Sequence, residues 1–425
     1  MEPVTTLAAA TGAPISLNRR MVAAGAFILF GLIDIFVFGL FAHPGDAVFT
    51  LSVSSTAVHV PSIHAPAATV AYTLGAASIL IGLFAAFVDE SRAVRRLNIA
   101  LVLLFFVISL LCWAYAGSAI PLNVVNLLQS TMNLSIPLVL GALAGCMCER
   151  SGVINIAIEG QLLTGAFAAA VVASAFGVLG LGLLTGSLAG GLIGALLAVF
   201  AIRFLVDQII LGVVLNVLAS GLTGYLNDRV LVSHPDLNSG LTFSAVKIPV
   251  LGDIPIIGPI FFDSTIFLYI MYAMIILVQV GLFSTRWGLR VRAVGEHPTA
   301  ADTVGIRVFA TRYRNVILGG LIAGIGGAYL TVGSVGTFSK DMSSGLGYIA
   351  LAAMIFGRWT PLGATAAALL FGFANSLQAT LSTVNVPIPS YILLMAPYVA
   401  TIIAVAGLVG RVRAPAADGK PYVKA

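Results

Sequence analysis

The sequence predicts an all-α protein, a polytopic bundle of membrane-spanning helices, on three observations. Of 425 residues, 59% are hydrophobic and only 9% are charged, whereas a soluble domain carries about 25% charged residues. Apolar runs close to 20 residues long recur along the chain, and about 20 residues of helix cross a hydrocarbon core of roughly 30 Å. The basic residues behind the net charge of +5 fall in short connectors beside those runs, a pattern of membrane topology rather than of nucleic-acid binding.

Taken in order, residues 1–20 form a polar tail ending in Arg19-Arg20, and Met21 to Ala42 makes the first apolar run. That run is too long for the apolar part of a signal peptide and has no small-residue cleavage site close behind it, so an uncleaved span is expected. Asp34 within it is costly in lipid unless it faces protein or water, and both a packing role and a functional role are open. A loop holds His43, His59 and His64, and the last two, five apart with no acid or cysteine nearby, make a weak metal signal and read as solvated. Further spans follow at 66–88 and 97–119, separated by Arg92, Arg95 and Arg96. The run 123–148 contains Pro137, which can kink a helix. Cys112, Cys146 and Cys148 lie in apolar runs and read as small buried hydrophobes.

Glu149 to Phe167, E-R-S-G-V-I-N-I-A-I-E-G-Q-L-L-T-G-A-F, breaks the apolar pattern with Gly152, Asn155, Glu159, Gly160 and Gln161. Irregular polar backbone survives at membrane depth only when buried in protein or lining a cavity. An ordinary turn leading into a span near Ala157 accounts for the same residues, and the two readings stand open. Spans at 157–177 and 179–202 follow, the second with Gly186, Gly190 and Gly194 at small-xxx-small spacing, a helix-packing face rather than a phosphate cradle. Leu205 to Val232 is a span interrupted by Asp207, Asn216 and Asn227, then a Pro- and Gly-rich loop occupies 233–263 and another span 264–284.

Ser284 to Arg314 is polar and carries Arg286, Arg290, Arg292, Arg307, Arg312 and Arg314 against Glu296 and Asp302. Such a loop stays on the cytoplasmic side. Within it Pro298 suits a first helical position and Gly305 a left-handed stop, giving a finger about 10 Å long at 1.5 Å per residue. Asn315 to Gly333, with Gly320 and Gly324 four apart like Gly141 and Gly145, precedes a polar break at 336–347 and runs at 348–357, 360–382 and 389–410. Each half thus reads span, break, shorter run, longer run, in opposite senses across the membrane, as in an inverted repeat. With twelve crossings and both termini inside, 18 of the 21 Lys and Arg fall on the cytoplasmic side. The run 348–357 has about half the length that spanning requires.

The segment R-A-V-G-E-H-P-T-A-A-D-T-V-G-I resembles the coupling-helix signature of permease subunits in bacterial ABC importers for ribose-type sugars, branched-chain amino acids and nucleosides. The stretch from Glu149 resembles the G-x-x-N-I-x-x-E-G-Q motif of the same family, and both variants look closest to its nucleoside-type branch. The resemblance covers residues 121–410, leaving 1–120 as an extension with about three helices and 411–425 as a cytoplasmic tail. It implies a non-enzymatic permease in the bacterial plasma membrane that pairs with a second, different permease as a heterodimer. A separate cytoplasmic subunit would bind ATP and Mg, leaving this chain without a cofactor, and an extracytoplasmic lipoprotein would deliver the substrate. ATPase coupling would fall to Gly295, Glu296, His297, Pro298, Ala300, Ala301 and Gly305.

For the pathway the candidates are Asn155, Glu159, Gln161, Asn216, Asn375 and Gln378, because a nucleoside needs amide and hydroxyl partners and such groups are expensive in lipid. Each could instead bond between helices. Phe338 and Tyr348 are candidate stacking surfaces. The chain has no G-x-x-x-x-G-K-[ST], so it is not the ATPase, and neither H-E-x-x-H nor G-x-S-x-G occurs. A ribose-type sugar permease is the nearest alternative. An ion-coupled secondary carrier is the next, but Asp34, Glu159 and Asp207 show no pairing that would make a relay.

Overall fold

The computed structural model describes residues 17–53, 60–384, Met395 and 413–424. His59 and, apart from Met395, the run 389–410 lie outside the described residues. Among the described residues, ten helices are long and apolar enough to cross a membrane. The chain divides into two compact units, one built mainly from residues 1–124 and one mainly from 125–425.

In the first unit, α1 (Leu17–Ile33) continues as a π-helical turn over Asp34–Gly39. β1 (Asp46–Thr50) and β2 (Ile63–Pro66) then pair antiparallel, with Phe49 opposite Ile63. The loop that carries His43 and His64 therefore contains paired strands, which satisfy backbone groups that a bare connector would leave to solvent. α2 (Ala67–Phe87) starts directly after Pro66, and α3 (Arg92–Tyr115) is capped by the Ser91 hydroxyl, which accepts the Val94 N–H at 3.3 Å. β3 (Leu122–Asn123) runs parallel to β1. Small residues let α1 and α2 approach closely: a Cβ on Gly31 would lie 2.6 Å from the Gly75 carbonyl, and one on Gly82 3.0 Å from that of Ala24. Asp34 is fully buried in this seam, where its Cβ lies 3.0 Å from that of a residue placed at Gly75.

The second unit opens with α4 (Val124–Glu149), which carries Pro137 inside it and is almost wholly enclosed. α5 (Ile158–Phe176) ends on Gly177 in the left-handed region, φ +66°. α6 (Leu179–Ala198) and α7 (Gln208–Leu226) both run on into π-helical turns. The Asp207 carboxylate caps α7 by accepting the N–H groups of Ile209 and Ile210 at 2.9 and 3.0 Å. The 233–263 loop folds locally: β4 (Val246–Lys247), the single turn α8 (Ile257–Phe261) and β5 (Asp263–Ser264), with β4 and β5 paired. α9 (Ile266–Ser284) leads to α10 (Arg286–Glu296) and the short α11 (Pro298–Thr303). α12 (Val308–Ala328) passes into a π-helical segment at Tyr329–Val335, and α13 (Leu346–Phe356) and α14 (Pro361–Leu381) complete the described helices.

The core of this unit is a glycine junction. A Cβ on Gly190 of α6 would stand 2.5 Å from both the Gly320 carbonyl and the Gly324 Cα of α12, and one on Gly165 of α5 2.6 Å from the Gly324 carbonyl. The glycine stripe read as a helix-packing face does pack helices, and its partner is the second glycine pair, Gly320 and Gly324. α13 is the departure from twelve full crossings: eleven residues give about 16 Å of helix, half of a hydrocarbon core.

Candidate functional site

Two interruptions of the helical pattern build the site. The first is residues 150–157, which climb beside α7. The Ile154 N–H donates to Gln208 Oε1 (2.8 Å), Asn216 Nδ2 donates to the Ile156 carbonyl (2.9 Å), and Asn216 Oδ1 accepts from Gly160 N (2.8 Å). From Gln208 to Asn216 is about 12 Å of helix at 1.5 Å per residue, so the stretch is re-entrant rather than a surface turn. Gly152 (φ +86°) makes the sharp bend, pressed against the Arg312 guanidinium and the Ala417 carbonyl.

The second is residues 336–345, between the π-helical end of α12 and the start of α13. Its backbone is held by left-handed residues: Gly336 (φ +89°), Asp341 (φ +51°), Ser344 (φ +45°) and Gly345 (φ +84°). For the non-glycines that conformation is costly and has to be fixed by neighbours. Asp341 Oδ1 accepts the Ser220 hydroxyl of α7 at 2.6 Å, and Lys340 pairs with Asp228 at 2.6 Å.

Glu159 joins the two interruptions. Its Oε1 accepts from Gly345 N (2.8 Å) and its Oε2 from Gly347 N (2.6 Å), so a carboxylate from the first turn of α5 caps the positive end of α13. At its other end α13 leads to Trp359, whose indole N–H donates to Glu149 and whose carbonyl accepts from Arg150 Nε at 2.8 Å. The short helix thus bridges the inner end of the first interruption and its outer start.

Above this helix start is a cavity of about 400 Å³, within the 300–1,000 Å³ typical of small-molecule sites. Leu134 and Pro137 of α4 and Leu330 and Val335 supply apolar wall, while Tyr329, Ser334, Ser339, Lys340, Asp341, Ser344 and Asn375 supply polar groups. Hydroxyls and one amide beside an apolar wall, with Lys340 and Asp341 at the lining, suit a polyhydroxylated solute with an apolar face.

Of the six pathway candidates, only Asn375 lines this cavity among the described residues. Asn155 and Gln161 are fully buried and bond each other, Nδ2 to Oε1 at 3.1 Å and Nε2 to Oδ1 at 3.4 Å, with Asn155 Nδ2 also 3.4 Å from Cys148 Sγ. Their amides are occupied by protein. Asn216 spends its amide on the re-entrant stretch and on the Tyr348 hydroxyl (3.1 Å), and Glu159 acts on the cavity only through the backbone it holds. Gln378 Nε2 donates to Ser382 Oγ at 3.1 Å, outside the cavity. Phe338 is a correction: its ring is packed edge-on against Phe167, 5.1 Å between centroids, and is 3% exposed, so it offers no face to a solute. Tyr348 is about half exposed and keeps its ring free.

The polar finger forms as its punctuation predicts. Pro298 takes the first helical position, and Gly305 (φ +83°) ends the turn with its N–H on the Asp302 carbonyl at 2.9 Å. Its expected residues divide by environment. Glu296, His297, Ala300 and Gly305 are exposed and Pro298 is half-buried, but Gly295 and Ala301 are buried. A Cβ on Gly295 would strike the Arg150 carbonyl, so glycine there serves close backbone approach. Val304, 75% exposed, is the apolar residue at the finger's tip.

The sequence reading missed Asp341 and Ser344, whose only signal was a polar run inside an apolar region. It also missed the tail. Residues 413–424, expected as a plain cytoplasmic extension, pack with Ala417 and Tyr422 buried. A lone tyrosine four residues after Asp418-Gly419 was the available clue.

Residues 127–409 match the family model described as the branched-chain amino acid transport system / permease component. The guanosine ABC transporter permease NupQ of Bacillus subtilis is 42% identical over 307 residues, 70% of this chain and 96% of the relative. The nucleoside ABC transporter permease NupC of Lactococcus lactis is 41% identical over 71% of this chain and 99% of its own. A second Bacillus subtilis guanosine permease, NupP, is 28% identical over 60% of this chain and 72% of its own. No solved structure matches.

Proposed function

The chain belongs to the permease family of branched-chain amino acid transport systems, and from that membership we propose that it forms the translocation pathway of an ABC importer for nucleosides. The observation that carries the substrate class is the cavity of about 400 Å³ beside the break at 336–345, in a chain whose relatives include permeases named for guanosine and nucleosides. Ribose hydroxyls would meet Ser334, Ser339, Ser344 and Asn375, and a base would lie against the apolar wall.

Bacillus subtilis carries both NupQ and NupP as guanosine permeases, which supports a second, different permease beside this one. A cytoplasmic subunit would bind ATP and Mg and receive α11 and its flanks at the exposed residues Glu296, His297, Ala300 and Val304. A lipoprotein would deliver solute from the opposite side, and both termini would lie inside with the basic loops. Closure of the ATPase pair would displace α11, and the rigid path from α10 through Arg150 and Trp359 to α13 would move the cavity floor that Glu159 holds.

Uptake of radiolabelled nucleosides and of ribose by cells with and without this chain tests the reading. Loss of nucleoside uptake with ribose uptake intact is expected. Loss of ribose uptake alone overturns the substrate class.

A further inference from the structure

We infer that the C-terminal segment, residues 413–424, is a clamp that fastens the docking finger to the re-entrant stretch and so belongs to the force-transmitting machinery. The inference rests on α11 being the ATPase-docking element.

The segment touches α10, α11, α12, the re-entrant stretch and the end of α4. Its Ala417 N–H donates to the Gly295 carbonyl (2.9 Å) and its Ala416 N–H to Glu296 Oε2 (3.2 Å), both at the end of α10. Tyr422 is buried in a cluster with Val294 of α10, Ala301 of α11 and Val308 of α12, and its ring lies 5.4 Å from that of Phe309. Gly419 (φ +71°) passes so close to the re-entrant stretch that a Cβ there would stand 2.7 Å from Ile154 Cδ1. The Lys420 carbonyl accepts from Arg312 Nη1 at 3.1 Å, and the Asp418 carboxyl meets that of Glu149.

Arg312 and Glu149 supply the second argument. They are 1% and 4% exposed, and charged groups at that depth require partners. The tail contributes to both: the Lys420 carbonyl accepts from Arg312 Nη1, with the Asp418 side chain near enough to act on the guanidinium electrostatically, and the Asp418 carboxyl hydrogen-bonds Glu149. Without the tail, Arg312 of α12 would lose the Lys420 carbonyl, and Glu149 of α4 would keep only its partners outside the tail, the Trp359 indole N–H among them. Two carboxyls in hydrogen-bond contact hold a proton between them. Asp418 faces Glu149 and Cys148 from α4 and Arg312 from α12, and burial raises its carboxyl to about 6 from 3.8. A free tail gives up that proton at the lower value, so docking is strongest in acid. That contribution is lost as pH rises through about 6.

The test uses the assembled transporter in proteoliposomes, measuring guanosine taken up per ATP hydrolysed. Tyr422→Ala and deletion of 413–425 should lower that ratio at least tenfold while the ATPase subunit still co-purifies, and Tyr422→Phe should restore it. The ratio in the unaltered protein should fall between pH 5 and 7, and Asp418→Asn should flatten that profile. An unchanged ratio in Tyr422→Ala overturns the clamp; so does equal loss in Tyr422→Ala and Tyr422→Phe. If the deletion fails to accumulate, the Tyr422 pair decides alone. Val304→Arg, on the exposed tip of α11, separates the premises: an ATPase that still binds this variant refutes α11 as the docking element, whatever the tail does.

Discussion

The two interruptions, 150–157 and 336–345, begin from the same problem and solve it oppositely. Each places polar backbone and side chains inside an apolar bundle. In the first, Asn155, Gln161, Asn216 and Gln208 bond one another and the backbone, and the result is a dry joint. In the second, strained residues held from outside by Glu159, Ser220 and Asp228 leave hydroxyls and an amide facing a cavity. A polar residue at membrane depth therefore does not by itself mark a pathway. What marks one is a polar group whose partners have been withheld.

The largest expected effect comes from cutting the link between the two. Glu159→Leu removes the acceptor for two backbone N–H groups, each worth about 1.5–3 kcal/mol when the acceptor is charged, so uptake should fall by more than about 100-fold. Glu159→Gln, which keeps one oxygen, should lie between. Wild-type uptake in Glu159→Leu would show that the joint and the cavity work separately.

Within the dry joint, Asn155→Leu or Gln161→Met alone should destabilise by about 1–3 kcal/mol, because each leaves its partner buried and unpaired. The double variant should recover most of that loss in thermal unfolding in detergent. Additive losses would mean that the two amides do not act as a pair. At the cavity, Asn375→Ala should raise the KM for guanosine about tenfold, the value of one hydrogen bond of about 1.4 kcal/mol, with thermal stability unchanged. A matching loss of stability would place Asn375 with the joint instead. Smallest is Lys340→Gln: its partnership with Asp228 has side chains 49% and 54% exposed, so thermal stability should barely change and any difference should fade with added salt.

Much of this was legible in residue order. Span lengths, the glycine stripes at 186–194 and 320–324, the proline-started finger and its glycine stop follow from local chemistry: lipid tolerates only satisfied backbone, and Pro and Gly act on their own dihedral angles. The brevity of α13 could be counted directly. Asn155 and Gln161 were misleading for a reason that spacing cannot reveal, since only a folded chain shows whether an amide faces a cavity or another amide six residues away.

By itself the sequence determined a multi-pass helical membrane protein with two polar breaks and a basic finger, because hydropathy, charge and turn residues are properties of short segments. Tertiary structure alone decided which break is sealed and which is open, that Glu159 caps a helix nearly 190 residues further on (186 and 188 residues to Gly345 and Gly347), and that Tyr422 and Asp418 close over Arg312 and Glu149. Those are questions of which groups meet across long stretches of chain, and burial makes a polar group's partner, not its type, decide what it does.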